Sequence, residues 1–258
     1  MVVLSVIAMS QSVQAVPNGG YTHPEILLQP EELKILIDKK DQNLKIIDVR
    51  EKLQYLGGHI PGAVQVWRPD IEDRIHVLPG MMAVQKQIED LMGGLGIDNK
   101  SMIAIYSDGP DNGRFWWVLA YYGFSIKQMK LLDGGINAWK AKGYPAEIAP
   151  PKVEKKSFKL PKETKKARTM LCTLSDVKAA LKKPDKVVLD VRSKGEFWGE
   201  ETKKGATRPG RIPGVTWIEW KEVLVEDGPY KEYWKPADEI KKIFSAKGIT
   251  PDKDVYIY

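Results

Sequence analysis

Three segments of the first half of the chain recur in the same order in the second half, and this repetition decides the architecture before any single residue is weighed. "LQPEELKILIDKK" (28–40) answers to "CTLSDVKAALKKP" (172–184), and both read as amphipathic helices. "KIIDVREKLQYLGGHIPGAVQV" (45–66) answers to "KVVLDVRSKGEFWGEETKKGATRPGRIPGVTWI" (186–218), sharing DVR and IPG around a longer insertion. "LGIDNKSMIAIY" (95–106) answers to "KGITPDKDVYIY" (247–258), a helix end with Gly and then a strand. Short apolar strands alternating with helices predict an α/β fold with a mostly parallel sheet in each half. Ligands of such sheets bind beyond the carboxyl ends of the strands, so functional loops are expected after Tyr106 and after Tyr258.

The first half continues past its strand into "SDGPDNGRFWWVLAYYGFSIKQMKLLDGGINAWKAKGYP". This reads as a Gly/Asp/Asn loop, an apolar helix, a strand at Met129–Leu132, a DGG turn and a last helix. Trp116, Trp117 and Trp139 lie at helical spacing and are expected in the core. The second half has no such continuation, and by the logic of the repeat it is short of roughly 45 residues. An unfinished parallel sheet is expected to expose apolar surface and an open strand edge.

The chain has 258 residues and a formal charge of +6. Residues 151–168 hold eight Lys/Arg and two Glu, so this stretch alone supplies the excess. Concentrated in one Pro-containing segment, the charge reads as a solvated linker rather than a nucleic-acid-binding face. The expected organisation is a domain over 24–150, a basic linker over 151–170 and a second domain over 171–258. Residues 1–15, "MVVLSVIAMSQSVQA", resemble a secretory signal peptide cleaved after Ala15, although the usual basic start is missing. That places the protein in the periplasm or outside the cell. No apolar run is long enough to span a bilayer, so no membrane partner is expected. The one cysteine, Cys172, excludes an internal disulfide and is expected to be a small buried residue before a helix capped by Thr173 or Ser175.

The tandem "DVREKLQYLGGHIPGAV", "LLDGGINAW" and "DVRSKGEFWGE" followed by "RPGRIPGV" resembles the rhodanese family, specifically its two-domain thiosulfate and 3-mercaptopyruvate sulfurtransferases. The resemblance covers about residues 28–258. It implies two rhodanese-like domains, the second incomplete, and transfer of a sulfane sulfur from a small anionic donor to a thiophilic acceptor through a persulfide-type intermediate. It also implies a nucleophile at the start of the loop after the fourth strand of the second domain, immediately after Tyr258. In the first domain that position is Ser107, followed by Asp108. A hydroxyl is a poor sulfur carrier, and Asp108 and Asp111 oppose an anion, so this site is read as degenerate. The chemistry needs a cradle of backbone N–H groups and a helix N-terminus to lower the nucleophile's pKa and hold the anionic donor.

Among the residues present, the resemblance makes Arg192 a supporting candidate at the site entrance, with Glu196 and Glu200 as possible partners. The alternative is a structural Asp190–Arg192 or Arg192–Glu pair. Arg208 and Arg211 flank the "RPGRIPGV" turn as further anion-binding candidates, and Arg211 stands where the first half has His59. His59, Asp48 and Arg50 are read as structural. "FWGEE" and "TWIEW" are read as core or interface packing, with a cleft between the domains as the alternative. No His/Cys cluster has metal spacing, and there is no Walker loop or GxGxxG, so no cofactor is expected.

A different class of reading is a non-catalytic rhodanese module that binds an anion or a partner protein. Phosphatase-like chemistry is a third, opposed by the tandem arrangement and the "FWGE" insertion. The chain stops one residue before the expected nucleophile. Selenocysteine is encoded by UGA, which is commonly translated as stop, and a selenolate forms well below the thiol reference of about 8.5. The expectation is therefore a product that reads through Tyr258 with selenocysteine. A shortened product and a pseudogene stand as alternatives.

Overall fold

The computed structural model describes residues 19–76, 80–161, 170–203 and 205–258. The leader-like residues 1–15 and much of the basic segment (162–169) lie outside the described residues.

The first half contains β1 (Leu27–Leu28), α1 (Pro30–Asp38), β2 (Leu44–Asp48), α2 (Lys52–Leu56), β3 (Val64–Gln65), α3 (Gln85–Gly94), β4 (Met102–Tyr106), α4 (Asp111–Tyr121), β5 (Met129–Leu132) and α5 (Gly135–Ala141). The strands form one parallel sheet in the order β1-β5-β4-β2-β3. Helices cover both faces, which is why β2 and β4 read as nearly continuous apolar runs. On one face, Phe115, Val118 and Leu119 of α4 and Ile88 and Met92 of α3 pack on Ile47, Val49, Ile103 and Ile105. On the other, Leu33, Ile136 and Trp139 pack on Ile46, Ala104 and Leu132. Trp139 is fully buried, while Trp116 and Trp117 pack against the first core from its margin.

The second half repeats this order with α6 (Leu174–Ala180), β6 (Lys186–Asp190), α7 (Lys194–Trp198), β7 (Thr216–Trp217), α8 (Ala237–Ala246) and β8 (Asp254–Ile257). The sheet is parallel, with three strands ordered β7-β6-β8. β6, β7 and β8 take the places of β2, β3 and β4. β8 is therefore an edge, and Ile257 is 60 % exposed.

Two expectations are corrected. The described part of the basic linker, 151–161, is not solvated throughout. Phe158 and Leu160 are buried in the first core, and the Lys156 N–H donates to the Gly93 carbonyl at 2.9 Å. Gly93 permits this approach, because a Cβ there would stand 2.5 Å from the Lys156 carbonyl oxygen. The segment's alternation of apolar and basic residues lets one side dock while Lys156 and Lys159 pair with Asp98 and Glu89 at the rim. Cys172, expected to be buried, is exposed. Thr173 caps α6 by accepting from the Asp176 N–H at 3.3 Å, and Cys172 directly precedes this exposed cap.

Candidate active site

Each DVR sequence builds the same clamp at the carboxyl end of its sheet. In the first half, the Arg50 Nε and Nη2 donate to both Asp48 carboxylate oxygens, and Nη2 also donates to the Gly58 carbonyl at 2.8 Å. The Tyr106 hydroxyl donates to Asp48 at 2.6 Å and accepts from the Ile60 N–H at 3.1 Å. In the second half, Arg192 donates to Asp190 at 3.0 and 2.7 Å and to the Gly210 carbonyl at 2.9 Å. The Tyr258 hydroxyl accepts from the Ile212 N–H at 3.3 Å. The guanidinium lies over the tyrosine ring in both, at 5.6 Å for Arg50–Tyr106 and 5.2 Å for Arg192–Tyr258. The clamp ties the strand end, the turn before IPG and the next strand into one unit.

The electrostatics follow from this geometry. Burial acts to raise the Asp190 carboxyl, but the Arg192 hydrogen bonds outweigh it and hold the group below the usual carboxylate range. The Asp190 hydrogen bonds raise Arg192 in turn, and burial raises the Tyr258 phenol. The halves differ in cover: the Arg50 side chain is 4 % exposed and that of Arg192 is 28 % exposed.

The remaining candidates divide. Arg211 takes over the work of His59. The His59 Nδ1 bonds the Tyr55 carbonyl at 2.9 Å with its ring stacked on Tyr55, and Arg211 Nη1 reaches the equivalent Phe197 carbonyl at 3.4 Å. Its guanidinium lies 4.4 Å from the Phe197 ring centroid and 4.5 Å from that of Trp198. Glu196, half-buried on α7, accepts from the Ser193 hydroxyl at 3.1 Å. It occupies the place of Gln54, whose amide donates to Asp108 across to the loop after β4 at 2.6 Å. Arg208 and Glu200 are exposed. Arg192 thus reaches the end of β8 through the Tyr258 ring, while Glu196 lies on α7 and Arg208 and Arg211 lie on the turn before β7.

Ser107 is buried, its hydroxyl accepting from the Gly109 N–H at 3.2 Å and its carbonyl from the Ile136 N–H at 3.1 Å. The DGG turn makes this possible: Gly135 has φ +55, and a Cβ on it would stand 2.1 Å from the Ser107 oxygen. Asp108 is exposed and bonded to Gln54. Burial raises the Asp111 carboxyl, with Arg68 at 3.5 Å acting against the rise.

The second half also reaches into the first. The Trp234 N–H donates to Asp133 at 2.9 Å, Asn137 donates to Glu232 at 2.6 Å, and the Tyr233 ring packs against Gly134. At the chain's beginning, the Tyr21 hydroxyl donates to the Lys235 carbonyl. Glu219 and Trp220 of "TWIEW" line the cleft between the halves, whereas Phe197 and Trp198 of "FWGEE" hold Arg211. The clamp tyrosines and the contacts around Asp133 were not singled out in the sequence. The recurrence of Tyr at the end of both "MIAIY" and "DVYIY" was the available signal for the tyrosines.

A tandem α/β unit with a DVR clamp at each sheet end defines the class, and the comparisons supply the family. The family description "Rhodanese-like domain" matches residues 29–142. A putative thiosulfate sulfurtransferase of Synechococcus elongatus is 30% identical, over 84% of this chain and 68% of its own length. The sulfur carrier protein TtuD of Thermus thermophilus is 28% identical, over 93% and 84%. The crystal structure of SseA, a 3-mercaptopyruvate sulfotransferase from Escherichia coli, superposes with a TM-score of 0.76 at 24% identity, over 90% of this chain and 87% of that one. The chain belongs to the rhodanese family, and its named relatives are sulfur-transfer proteins.

Proposed function

We propose that the second domain moves a sulfane sulfur from thiosulfate or a related anionic donor to a thiophilic acceptor, through a persulfide-type intermediate on the residue immediately after Tyr258. The observation that carries this reading is the second clamp. Asp190, Arg192, Gly210 and Tyr258 hold the end of β8 as their counterparts hold the end of β4, where Ser107 follows directly. A nucleophile there attacks the outer sulfur of the donor, and the remainder of the donor leaves as an anion. The acceptor's lone pair then takes the sulfur and returns the thiolate or selenolate.

Arg192 and Arg211 serve this site as positioning residues, since Asp190 and the Phe197 and Trp198 rings hold their guanidinium groups. Arg208 is the exposed cation left to meet an anionic donor. Glu196 stands ready to accept hydrogen bonds from the loop beyond Tyr258, as Gln54 donates to Asp108. The first domain is a non-catalytic support, with Ser107 in the nucleophile's place. The proposal includes export with loss of residues 1–15, which N-terminal sequencing of the natural product tests.

The test uses the 258-residue chain. Its thiosulfate:cyanide sulfurtransferase activity is expected at background. Activity that Cys172→Ser abolishes overturns the assignment of the nucleophile. The nucleotide sequence after the Tyr258 codon separates selenium from sulfur. UGA followed in frame by about 45 rhodanese-like codons and a stem-loop supports selenocysteine, and UAA or UAG there rules it out.

A further inference from the structure

The first domain holds the segment 232–237 of the second half largely through that segment's main chain. The Trp234 N–H donates to Asp133 at 2.9 Å, the Lys235 carbonyl accepts from the Tyr21 hydroxyl, and the Ala237 N–H donates to the Gly19 carbonyl at 3.0 Å. One side chain anchors it: the Tyr233 ring is buried against Gly134, where a Cβ would stand 2.6 Å from the ring. Gly134 has φ +69, so glycine there serves both the turn and the notch. Asp133 is set in advance as an acceptor, because Gln29 donates to its other oxygen at 3.0 Å. Tyr21 is set in place by its ring, which packs against the first core. The opposite edge of the segment is paired within the second half. There the Val225 N–H donates to the Tyr233 carbonyl at 2.8 Å and the Lys235 N–H to the Val223 carbonyl at 2.9 Å. The segment is therefore delivered as one strand of a hairpin.

We propose that Gly19, Tyr21, Asp133, Gly134 and Asn137 form a peptide-recognition groove on the first domain, which takes an extended, tyrosine-anchored segment of a partner protein and holds 232–237 as a displaceable stand-in. Three observations select this over a fixed internal joint. Main-chain contacts make the groove tolerant of the side chains that flank the tyrosine. The stand-in is strained: Glu232 has φ +69, a left-handed conformation that is costly for a residue with a Cβ, and Asn137 holds its carboxylate there at 2.6 Å. The second half also buries few apolar side chains among the described residues, so lifting its segment away needs little free energy. The fitting partner is an extended strand with glycine before its tyrosine, which takes the left-handed conformation without that cost. The first domain, non-catalytic in the proposed sulfur transfer, thereby gains a binding role that does not depend on that transfer.

The probe is a fluorescein-labelled synthetic peptide of residues 221–238 carrying Glu232→Gly, read by fluorescence anisotropy. It is titrated with the full 258-residue chain and with its Tyr233→Asp variant, whose own anchor no longer fits the notch. Saturable binding to the variant is expected, about tenfold tighter than to the unaltered chain, where the tethered segment competes. Tyr233→Asp in the peptide is expected to abolish binding. Adding Tyr21→Phe to the protein variant is expected to weaken it about fivefold, the worth of one net hydrogen bond. Absence of saturation, or binding indifferent to the tyrosine of the peptide, overturns the proposal. Circular dichroism verifies that the variant keeps its fold. If it unfolds, hydrogen exchange of the isotope-labelled unaltered chain decides: excess peptide is expected to speed exchange at 225–237, and unchanged exchange overturns the proposal. Light scattering adds a further outcome: a dimer that Tyr233→Asp dissociates means that a second copy supplies the segment, and this too overturns it. The readout is binding alone, so its result is separable from that of the sulfur-transfer assay.

Discussion

Asp48→Ala is expected to destabilise the first domain by about 3–5 kcal/mol, the cost of leaving a buried charge without its partner. The Arg50 guanidinium would keep only the Gly58 carbonyl, and the Tyr106 hydroxyl would lose its 2.6 Å acceptor. Neither group reaches water, since Arg50 and Tyr106 are both buried. The equivalent Asp190→Ala is expected to cost less, about 1.5–3 kcal/mol, the range for hydrogen bonds to charged groups. Arg192 is more exposed and can recover solvation that Arg50 cannot. Asp190 also gives a pH signature. Its folded-state pKa is lowered, so its contribution is present above the unfolded value of about 3.9 and is lost as pH falls through the folded value. Hydrogen exchange, read peptide by peptide across both variants, separates the two domains. Equal losses in the two halves would show that cover over the clamp does not set its worth.

The repeat made most of the fold legible. Two DVR–IPG units with strands at fixed offsets dictate parallel pairing, and the strand at Met129–Leu132 lies where its pattern placed it. The clamp was half legible: Asp and Arg two residues apart announce a pair, but not that the arginine also holds a carbonyl eight residues away in one half and eighteen in the other. For Arg211 the sequence showed a cation in the turn but not its surroundings, two aromatic rings supplied by α7, Phe197 and Trp198, that hold its guanidinium. The segment after residue 150 was misread because its charge count dominated the reading, whereas its two large apolar side chains, Phe158 and Leu160, decide where it lies.

Limited proteolysis of the whole chain is expected to leave a core that runs through about residue 161, rather than one ending at 150, while residues 172–258 are digested. The first domain closes a large core, and the 151–161 strap belongs to it. Phe158 packs on Phe124, and Leu160 donates its N–H to Glu89 at 3.0 Å. Phe158→Ala is expected to cost about 3–5 kcal/mol, as for other buried phenylalanines, and to move the cut site back toward residue 150. Among the described residues the second half buries few apolar side chains and pairs β8 on one side alone, with β6, so its local opening needs little free energy. One contact that holds it to the first domain is at Asp133, where Trp234 and Gln29 bond a carboxyl that burial raises above its ordinary value. Asp133→Ala should therefore accelerate digestion of 172–258 more than that of the first domain. Protection of 172–258 equal to that of the first domain would show that the second half opens no more readily than the first.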